Sequence, residues 1–467
     1  MNFIKSLFGV KESCVFSRRI SGKSIVALPT DEHAKNSQEF RVARLAIVVG
    51  ILVTALCSSA SLRADAVSDW NKIMISIVRT APNPFFQGRY AAITEVAVFE
   101  AVNACTRQYQ PYLGTITGDS GCSPEAAAVA AAHDVLVNYF PAAAATLDVD
   151  QANSLALLPD GTPKTSGISV GQAAAAAMIA LRANDGSTPI QTFLPTSSVP
   201  GVWQPTPPAF SPGILLNWRN VTPFAVRTSD QFRVNAPPDL TSRKYTTSYN
   251  EVLEVGDVNS ASRPQDRTDV AHFYALVNAP EVWNNVAQQI TQARGTPLAD
   301  KARAFALINI AISDGLVTVM ESKYFYVRWR PVTAIRAGDT DGNPATEPNP
   351  SFTPLITTPP FPGYPSAHAS ASYGAREILE RLFGCGPYTI TLLSPRIPTI
   401  VLHYSSLAGI TEDIDDARVF GGIHFRYDQE AGGRQGQRIG SFVFSHKLRP
   451  LTDSSSSEED GGPVCAD

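Results

Sequence analysis

The sequence carries little charge and has no cluster of basic residues. Only 17% of its 467 residues are Asp, Glu, Lys or Arg, the formal net charge is -4, and no Lys- or Arg-rich run occurs. These values exclude the global basic surface that nucleic-acid-binding proteins use, so any affinity for anions must come from a local group of cations. The hydrophobic content of 44% is typical of a globular protein with a sizeable core.

Long hydrophobic runs are rare, and the one that stands out is the apolar segment 45–57. It is too short for a comfortable membrane span. Because arginines precede it and small residues follow it, it resembles a secretory signal that is cleaved near residues 60–66. We therefore predict a leader over residues 1–66 and a secreted or periplasmic protein. The stretch before the apolar segment is long for a signal, so a membrane-anchored N-terminus or a misplaced start codon remains an alternative.

Cysteine is scarce, and no C-x-x-C pair occurs among the six cysteines, so a zinc or redox site has no support. Removal of the leader would leave four of them: Cys105, Cys122, Cys385 and Cys465. An exported protein can oxidise such an even set. Cys105 and Cys122 bracket a turn-rich loop and could form a local disulfide, although the sequence does not fix the connectivity.

Alternating strand patterns are also scarce, whereas helical periodicity is common. Helices are predicted over residues 68–105 with a break at Pro82-Asn83-Pro84, from Ser123-Pro124 onwards, and over 169–183, 266–277, 280–294, 297–330, 368–383 and 424–447. Pro-rich loops are expected over about 187–247 and 337–365. The predicted fold is mainly α, with two packed four-helix-type bundles in one catalytic domain over 67–451, followed by an acidic low-complexity tail over 452–467.

Chemically useful side chains are concentrated in residues 323–428. Lys323 and Arg330 are seven residues apart, so a continuous helix would project both cations from one face, and Pro331 would then end or kink that helix. The aromatic residues between them indicate burial. A solvated basic face is the simpler alternative, but a buried Lys and Arg need an anion.

The second stretch, Pro365-Ser366-Ala367-His368, leads into a predicted helix. The Ser366 hydroxyl and the free N–H groups of the first turn would therefore face whatever binds at that helix end, and a helix N-terminus favours negative charge. His368 would lie at the same site and could exchange a proton. Taken alone, this stretch is better explained as an N-cap serine followed by an incidental histidine.

The third stretch contains Arg418, His424 and Asp428, with Gly421-Gly422 between the first two. The paired glycines allow a loop in which Arg418 and His424 converge, with His424 opening the next helix. Asp428 follows one helical turn later and could orient the imidazole and set its tautomer.

In this order, the pattern K-x6-R-P, P-S-x-H and R-x5-H-x3-D resembles that of the type 2 phosphatidic acid phosphatase superfamily, which includes the vanadium-dependent haloperoxidases. The strings W-R-P, P-P-F-P-G-Y-P-S-A-H and G-I-H-F-R-Y-D resemble the haloperoxidase versions more closely. The resemblance implies that the chain uses vanadate, hydrogen peroxide and a halide to make a hypohalous-acid equivalent that halogenates small organic substrates. Phosphate could occupy the same site.

The resemblance also implies roles for individual residues. Oxygens of vanadate would be bound by the side chains of Lys323, Arg330, Ser366 and Arg418 and by the N–H of Ala367. His424 would bond to the vanadium, with Asp428 behind it, and His368 would act as the acid-base group. Three residues depart from the pattern: Ala367 replaces a glycine, Ala417 replaces a serine, and Met320 stands where some haloperoxidases have a tryptophan.

Two other functions remain open on sequence grounds. A metal-free acid phosphatase would use the same pocket, with His424 attacking phosphorus and His368 protonating the leaving group. A non-catalytic helical scaffold could keep the pocket only as an anion-binding site. All positions that carry chemical groups are intact, which favours an enzyme.

Overall fold

The structure, a computed structural model, describes residues 65–119 and 121–451. The predicted signal-like segment 45–57, the acidic tail and Cys465 lie outside these residues, so those predictions remain untested. The domain boundaries remain predictions as well.

The first group of helices occupies the N-terminal half of the described chain. Its members are α1 (Ala66–Val78), α2 (Pro84–Thr106), α3 (Pro124–Tyr139), α4 (Ala144–Ala156) and α5 (Thr162–Arg182). The Asn83 side chain accepts hydrogen bonds from two N–H groups of the first turn of α2, and Ser123 caps α3 in the same way. Both caps are followed by a proline, whose fixed φ and missing N–H suit the first helical position.

The second group follows a long irregular excursion. It comprises α6 (Arg243–Val255), α7 (Gln265–Leu276), α8 (Ala279–Ala293), α9 (Leu298–Tyr326), α10 (Pro331–Arg336), α11 (Ala367–Phe383), α12 (Leu407–Val419) and α13 (Arg426–His446). Two three-residue strands, β1 (Ile390–Leu392) and β2 (Leu402–Tyr404), pair antiparallel with Ile390 opposite Tyr404. The prediction of a mainly helical, bundle-based fold is confirmed.

Helix α9 joins the two groups. It packs on α2 of the first group and on α11 of the second, while α2, α3 and α5 pack together, as do α11 and α13. By length and composition α9 could cross a membrane, but its most apolar window is wholly buried inside the protein. It therefore serves as a core helix.

Helices α11 and α13 approach unusually closely because glycines line their contact. A Cβ added at Gly432 would lie 2.4 Å from the carbonyl oxygen of Ser366, and one at Gly436 would lie 2.1 Å from that of Ser370. No side chain fits at these distances. The close contact holds the start of α11, where the second motif lies, against the helix that carries the third.

The disulfide predicted between Cys105 and Cys122 is present, with the two Cα atoms 5.5 Å apart. It closes the loop between α2 and α3. The irregular region expected over 187–247 is also observed, except that α6 already begins at Arg243 and a 3₁₀ turn spans Leu216–Asn220.

One helix prediction near the site is wrong. The helix expected over 297–330 ends at Tyr326, because Val327 adopts a left-handed conformation with φ 49°. Arg330 is extended (φ -94°, ψ 158°), as expected for a residue that precedes proline, and Pro331 begins α10 rather than ending a helix. Lys323 and Arg330 therefore do not share one helix face.

Candidate functional site

The two cations of the first motif converge although they lie on different elements. Lys323 Nζ donates to the carbonyl oxygens of Pro362 (2.8 Å) and Gly363 (2.6 Å). Arg330 Nε donates to the carbonyl oxygen of Phe361 at 2.9 Å. The loop 361–363 therefore ties both cations to one place, and both side chains are fully buried.

The Phe361 ring contacts both cations. Lys323 Nζ lies 5.4 Å from the ring centroid and Arg330 Cζ lies 5.1 Å from it. The negative face of an aromatic ring stabilises a nearby cation, which offsets a small part of the cost of burial. Phe361 lies in the string that leads to Ser366, and its ring supports both cations.

The second motif forms the beginning of α11. Ser366 is the N-cap residue, its N–H donates to the backbone oxygen of Asp428 at 2.9 Å, and its buried Oγ accepts a long 3.4 Å hydrogen bond from Ala369 N–H. The hydroxyl proton remains able to donate. Ala367 and His368 occupy the first two helical positions, whose N–H groups have no intrahelical acceptor.

The third motif is brought together by a turn after α12. The N–H groups of Ile423 and His424 both point to the carbonyl oxygen of Arg418, at 3.1 Å and 3.3 Å. Gly422 permits this turn because its φ is 76° and a Cβ there would lie 2.3 Å from the carbonyl oxygen of Gly256. The predicted convergence of Arg418 and His424 is thus present in the backbone.

His424 is held at both ring nitrogens. Its Nδ1 lies 2.8 Å from Asp428 Oδ2, and its Nε2 lies 2.9 Å from Arg330 Nη1. The predicted pairing of His424 with Asp428 is observed. His424 does not open the helix, however: α13 begins at Arg426, and Asp428 reaches back both to the imidazole and to the N–H of Phe425.

Several N–H groups of the buried cations have no partner among the described residues. They belong to Nη2 of Arg330 and to Nε and Nη2 of Arg418. An ammonium has three donors, and the two hydrogen bonds of Lys323 leave one unused. A buried guanidinium rarely leaves such donors unsatisfied, so these groups suit a multiply charged oxyanion.

The pKa values of the site residues are shifted because several cations are buried together. Burial, followed by the mutual repulsion of the cations, lowers the pKa of Lys323 well below its usual value and that of Arg418 to about 9. Burial lowers the pKa of Arg330 to about 10, and burial and the three cations keep the pKa values of His368 and His424 well below their usual range. An anion among these groups would offset the repulsion.

Burial raises the pKa of Asp428 to about 7, and the Lys323 ammonium partly offsets this shift. No other carboxylate is placed by hydrogen bonds against the free guanidinium nitrogens of Arg418 within the described residues. The buried carboxylate of Asp314 instead accepts hydrogen bonds from the N–H groups of three consecutive residues, Phe224, Ala225 and Val226.

A recess of about 200 Å³ lies beside the site, between the start of α2 and elements of the second group of helices. His368 and His424 line this recess together with Phe85, Phe361 and Leu316. The contribution of residues 83–85, at the start of α2, was not predicted, since they precede the motifs by more than 200 positions and carry no chemical signature of their own.

Comparison with known proteins agrees with this arrangement. Residues 303–453 match the family model described as the VCPO second helical-bundle domain, and this range contains all eight site residues predicted from the sequence. The resemblance to the vanadium-dependent haloperoxidases is confirmed.

A vanadium chloroperoxidase of Curvularia inaequalis is 25% identical over 284 residues, which cover 45% of this chain and 46% of that protein. The chain thus matches just under half the length of this curated relative. Among solved structures, a bacterial vanadium-dependent iodoperoxidase aligns with a TM-score of 0.69 and 24% identity, over 84% of this chain and 97% of that one. A holo-type bacterial vanadium-dependent chloroperoxidase aligns with a TM-score of 0.63 and 17% identity, over 77% and 91%. These two structures show a shared vanadium-haloperoxidase fold.

Proposed function

We propose that this protein is a vanadate-dependent haloperoxidase, which uses hydrogen peroxide to oxidise a halide to a hypohalous-acid equivalent that halogenates small organic substrates. One observation carries the proposal. Three buried cations, Lys323, Arg330 and Arg418, surround a histidine of fixed tautomer and keep N–H donors that no described protein group accepts.

The residues present fit vanadate. The unused donors of Lys323, Arg330 and Arg418 would bind its oxygens, together with the Ser366 hydroxyl and the Ala367 N–H. The Nε2 lone pair of His424 would bond to vanadium, which requires the N–H of Arg330 to turn from Nε2 to a vanadate oxygen. Three cations would offset the charge of a trianionic oxyanion.

When bound, vanadate supplies a Lewis acid that polarises peroxide for attack by a halide. The side chains of the protein supply the remaining functions. His368 stays neutral because burial and the three cations lower its pKa, so a ring nitrogen can accept the proton that hydrogen peroxide must lose. The apolar walls of the recess limit the access of water to His368 and His424.

An acid phosphatase is the second candidate, and the tautomer of His424 supports it as well. Its Nδ1 donates to Asp428, so Nε2 carries the lone pair and could attack phosphorus, while the same cations bind phosphate oxygens. His368 would protonate the leaving group. Both candidates use the same residues, so only the reaction distinguishes them.

The decisive experiment assays one purified preparation in two ways. Vanadate-loaded protein with peroxide and bromide is expected to brominate a phenol reporter, and vanadate-free protein is expected to leave a phosphate ester intact. Ester hydrolysis without halogenation would reject the haloperoxidase proposal and favour the phosphatase. His424→Ala is expected to abolish whichever activity is found, with exposed His446→Ala on α13 as the control.

We also propose that the protein is exported. The signal-like segment 45–57 and the Cys105–Cys122 disulfide support this proposal, since disulfides persist in oxidising compartments. Cell fractionation of the source organism with N-terminal sequencing of the recovered protein tests it. A mature protein in the periplasm or medium that begins near residues 60–66 is expected, whereas an intact N-terminus in the cytosol would refute it.

A further inference from the structure

We infer that the apolar recess beside His368 is a binding site for a monocyclic phenol, which is halogenated there rather than in bulk solution. The inference rests on the proposed haloperoxidase activity, which would supply the hypohalous acid. It adds a substrate class and a place of reaction that the anion site alone does not specify.

The size of the recess suits a single aromatic ring. Its volume is about 200 Å³, whereas an apolar cavity of about 150 Å³ in another protein accepts benzene. Lys323, Arg330 and Arg418 are not among the residues that line the recess, so an oxyanion held by these three cations would not fill this space. Hydrogen peroxide and a halide ion are both too small to fill it.

The walls favour an apolar, uncharged ring. Phe85 and Phe361 meet edge to face, with their ring centroids 5.8 Å apart, and Leu316, Pro280 and Ala279 complete much of the remaining surface. Aromatic ligands gain both from burial and from edge-to-face contacts with such rings. A charged organic molecule would lose its hydration without a countercharge on these walls.

Few polar groups line the recess, and they limit what a ligand can carry. The polar side chains are Asn83, His368 and His424. Both ring nitrogens of His424 already have partners, and Asn83 Oδ1 accepts from the N–H groups of Phe85 and Phe86. A ring nitrogen of His368 and the Asn83 amide N–H groups remain to meet one hydroxyl. A phenol carries one such group on an otherwise apolar ring.

The chemistry balances with the reagents already named. The ring carbon ortho or para to the hydroxyl attacks the halogen of the hypohalous acid, a carbon–halogen bond forms, and the halogen–oxygen bond breaks. The ring is oxidised by two electrons and the halogen is reduced. The hydroxide that leaves combines with the proton lost from the ring carbon to give water, and His368 can carry that proton.

Two variants on α8 test the binding site. Ala279→Phe would place a ring in the recess, whereas Ala293→Phe makes the same change at an exposed position of the same helix. Vanadate-free wild-type protein and Ala293→Phe are expected to bind phenol saturably in ligand-observed NMR titrations. Ala279→Phe is expected to bind it at least tenfold more weakly. Absence of saturable binding to the wild-type protein would overturn the inference.

Leu316→Ala covers the case in which Ala279→Phe fails to fold. Leu316 is buried and lines the recess, so its truncation enlarges the available space. The variant is expected to bind 4-tert-butylphenol more tightly, relative to phenol, than the wild-type protein does. An unchanged ratio between the two ligands would place phenol elsewhere and refute the inference.

A competition assay separates this inference from the proposed function. Vanadate-loaded protein receives peroxide, bromide and equal concentrations of free phenol and of a phenol coupled to dextran, which cannot enter the recess. The ratio of brominated free phenol to brominated dextran-coupled phenol is expected to be at least tenfold higher with the enzyme than with reagent hypobromous acid. If the enzyme gives the same product ratio as reagent hypobromous acid, halogenation in the recess is refuted. If neither phenol is brominated, the haloperoxidase proposal is refuted, and the NMR titrations still test the binding site.

Discussion

Arg330 donates a hydrogen bond from Nη1 to Nε2 of His424, across 2.9 Å. A guanidinium can only donate, so Nε2 must accept, and the imidazole proton must lie on Nδ1, where Asp428 accepts it. The buried Arg330 thus fixes which nitrogen presents a lone pair. The same lone pair is needed to bond to vanadium or to attack phosphorus.

Asp428→Asn should weaken vanadate binding by about 10- to 100-fold, since partners that orient a metal-binding histidine typically have effects of this size. The asparagine can donate to Nδ1 and so favour the tautomer that carries its proton on Nε2. Vanadate titration followed by the shift in thermal unfolding measures the change. Glu430→Gln, at a partly exposed position of the same helix, is the control. Wild-type affinity in Asp428→Asn would show that the carboxylate does not orient His424.

Arg418→Met should abolish the stabilisation that vanadate or phosphate gives, without destabilising the anion-free protein. Arg418 is buried with unsatisfied nitrogens, and replacement of a buried, uncompensated charge by an apolar side chain is often neutral or stabilising. In the wild-type protein, an anion at about 100 times its dissociation constant should add about 2.7 kcal/mol to the free energy of unfolding. Thermal unfolding with and without vanadate measures both effects.

The control for this experiment is Arg434→Met, at an exposed site on α13, which should keep the full response to vanadate. A variant at Arg418 that still responds to vanadate as the wild-type protein does would place the anion elsewhere. Strong destabilisation of anion-free Arg418→Met would instead assign this arginine a structural role.

Ala367→Gly should change vanadate affinity by less than twofold and lower stability by about 0.5–1 kcal/mol. Ala367 is the first residue of α11 and has no positive φ, so the freedom of glycine is not required there. Either residue presents the same backbone N–H. Chemical denaturation and vanadate titration measure the two quantities, and a large gain in affinity would mean that the Ala367 methyl group crowds the anion.

Glu95 should make the protein less stable as pH rises from about 5 to about 8. Its Oε1 accepts from Asn71 Nδ2 at 2.8 Å, its Oε2 has no partner among the described residues, and burial raises its pKa to about 8. In the unfolded chain it would titrate near pH 4.3, so across this window the folded state holds a proton that the unfolded state has released. The free energy of unfolding therefore falls as pH rises.

Glu95→Gln should flatten this part of the stability curve, because an amide does not titrate. Urea denaturation at pH 5, 6.5 and 8 measures the free energy of unfolding of both proteins. The variant should become more stable relative to the wild-type protein as pH rises. Glu430→Gln serves again as the control and should leave the slope unchanged. Parallel curves for the wild-type protein and Glu95→Gln would show that Glu95 titrates normally.

The motif residues were predictable from the sequence because each stretch carries its own chemical types in a recognisable order. The contacts among these residues were less predictable. Lys323 and Arg330 meet through the carbonyl groups of residues 361–363, not through shared helix spacing, because Val327 turns left-handed and Arg330 precedes a proline.

Two further features depend on packing between distant segments, which local periodicity does not encode. The hydrogen bond from Arg330 to His424 spans 94 positions, and the recess takes Phe85 from a helix of the other group. The helix boundaries were predicted best where a cap is explicit, as at Asn83-Pro84 and Ser123-Pro124. They were predicted less well where α5 begins after a glycine that gives no side-chain cap.

Leu316 and Lys323 are carried by the same buried helix, two turns apart, which corresponds to about 10 Å along its axis. This single helix therefore fixes the distance between Leu316, in the wall of the recess, and the Lys323 ammonium, which would bind the anion. Side chains at the Leu316 end can be exchanged to admit rings of other sizes while the Lys323 end keeps its position. Substrate range and oxidising chemistry are thus separately adjustable parts of a single structural element.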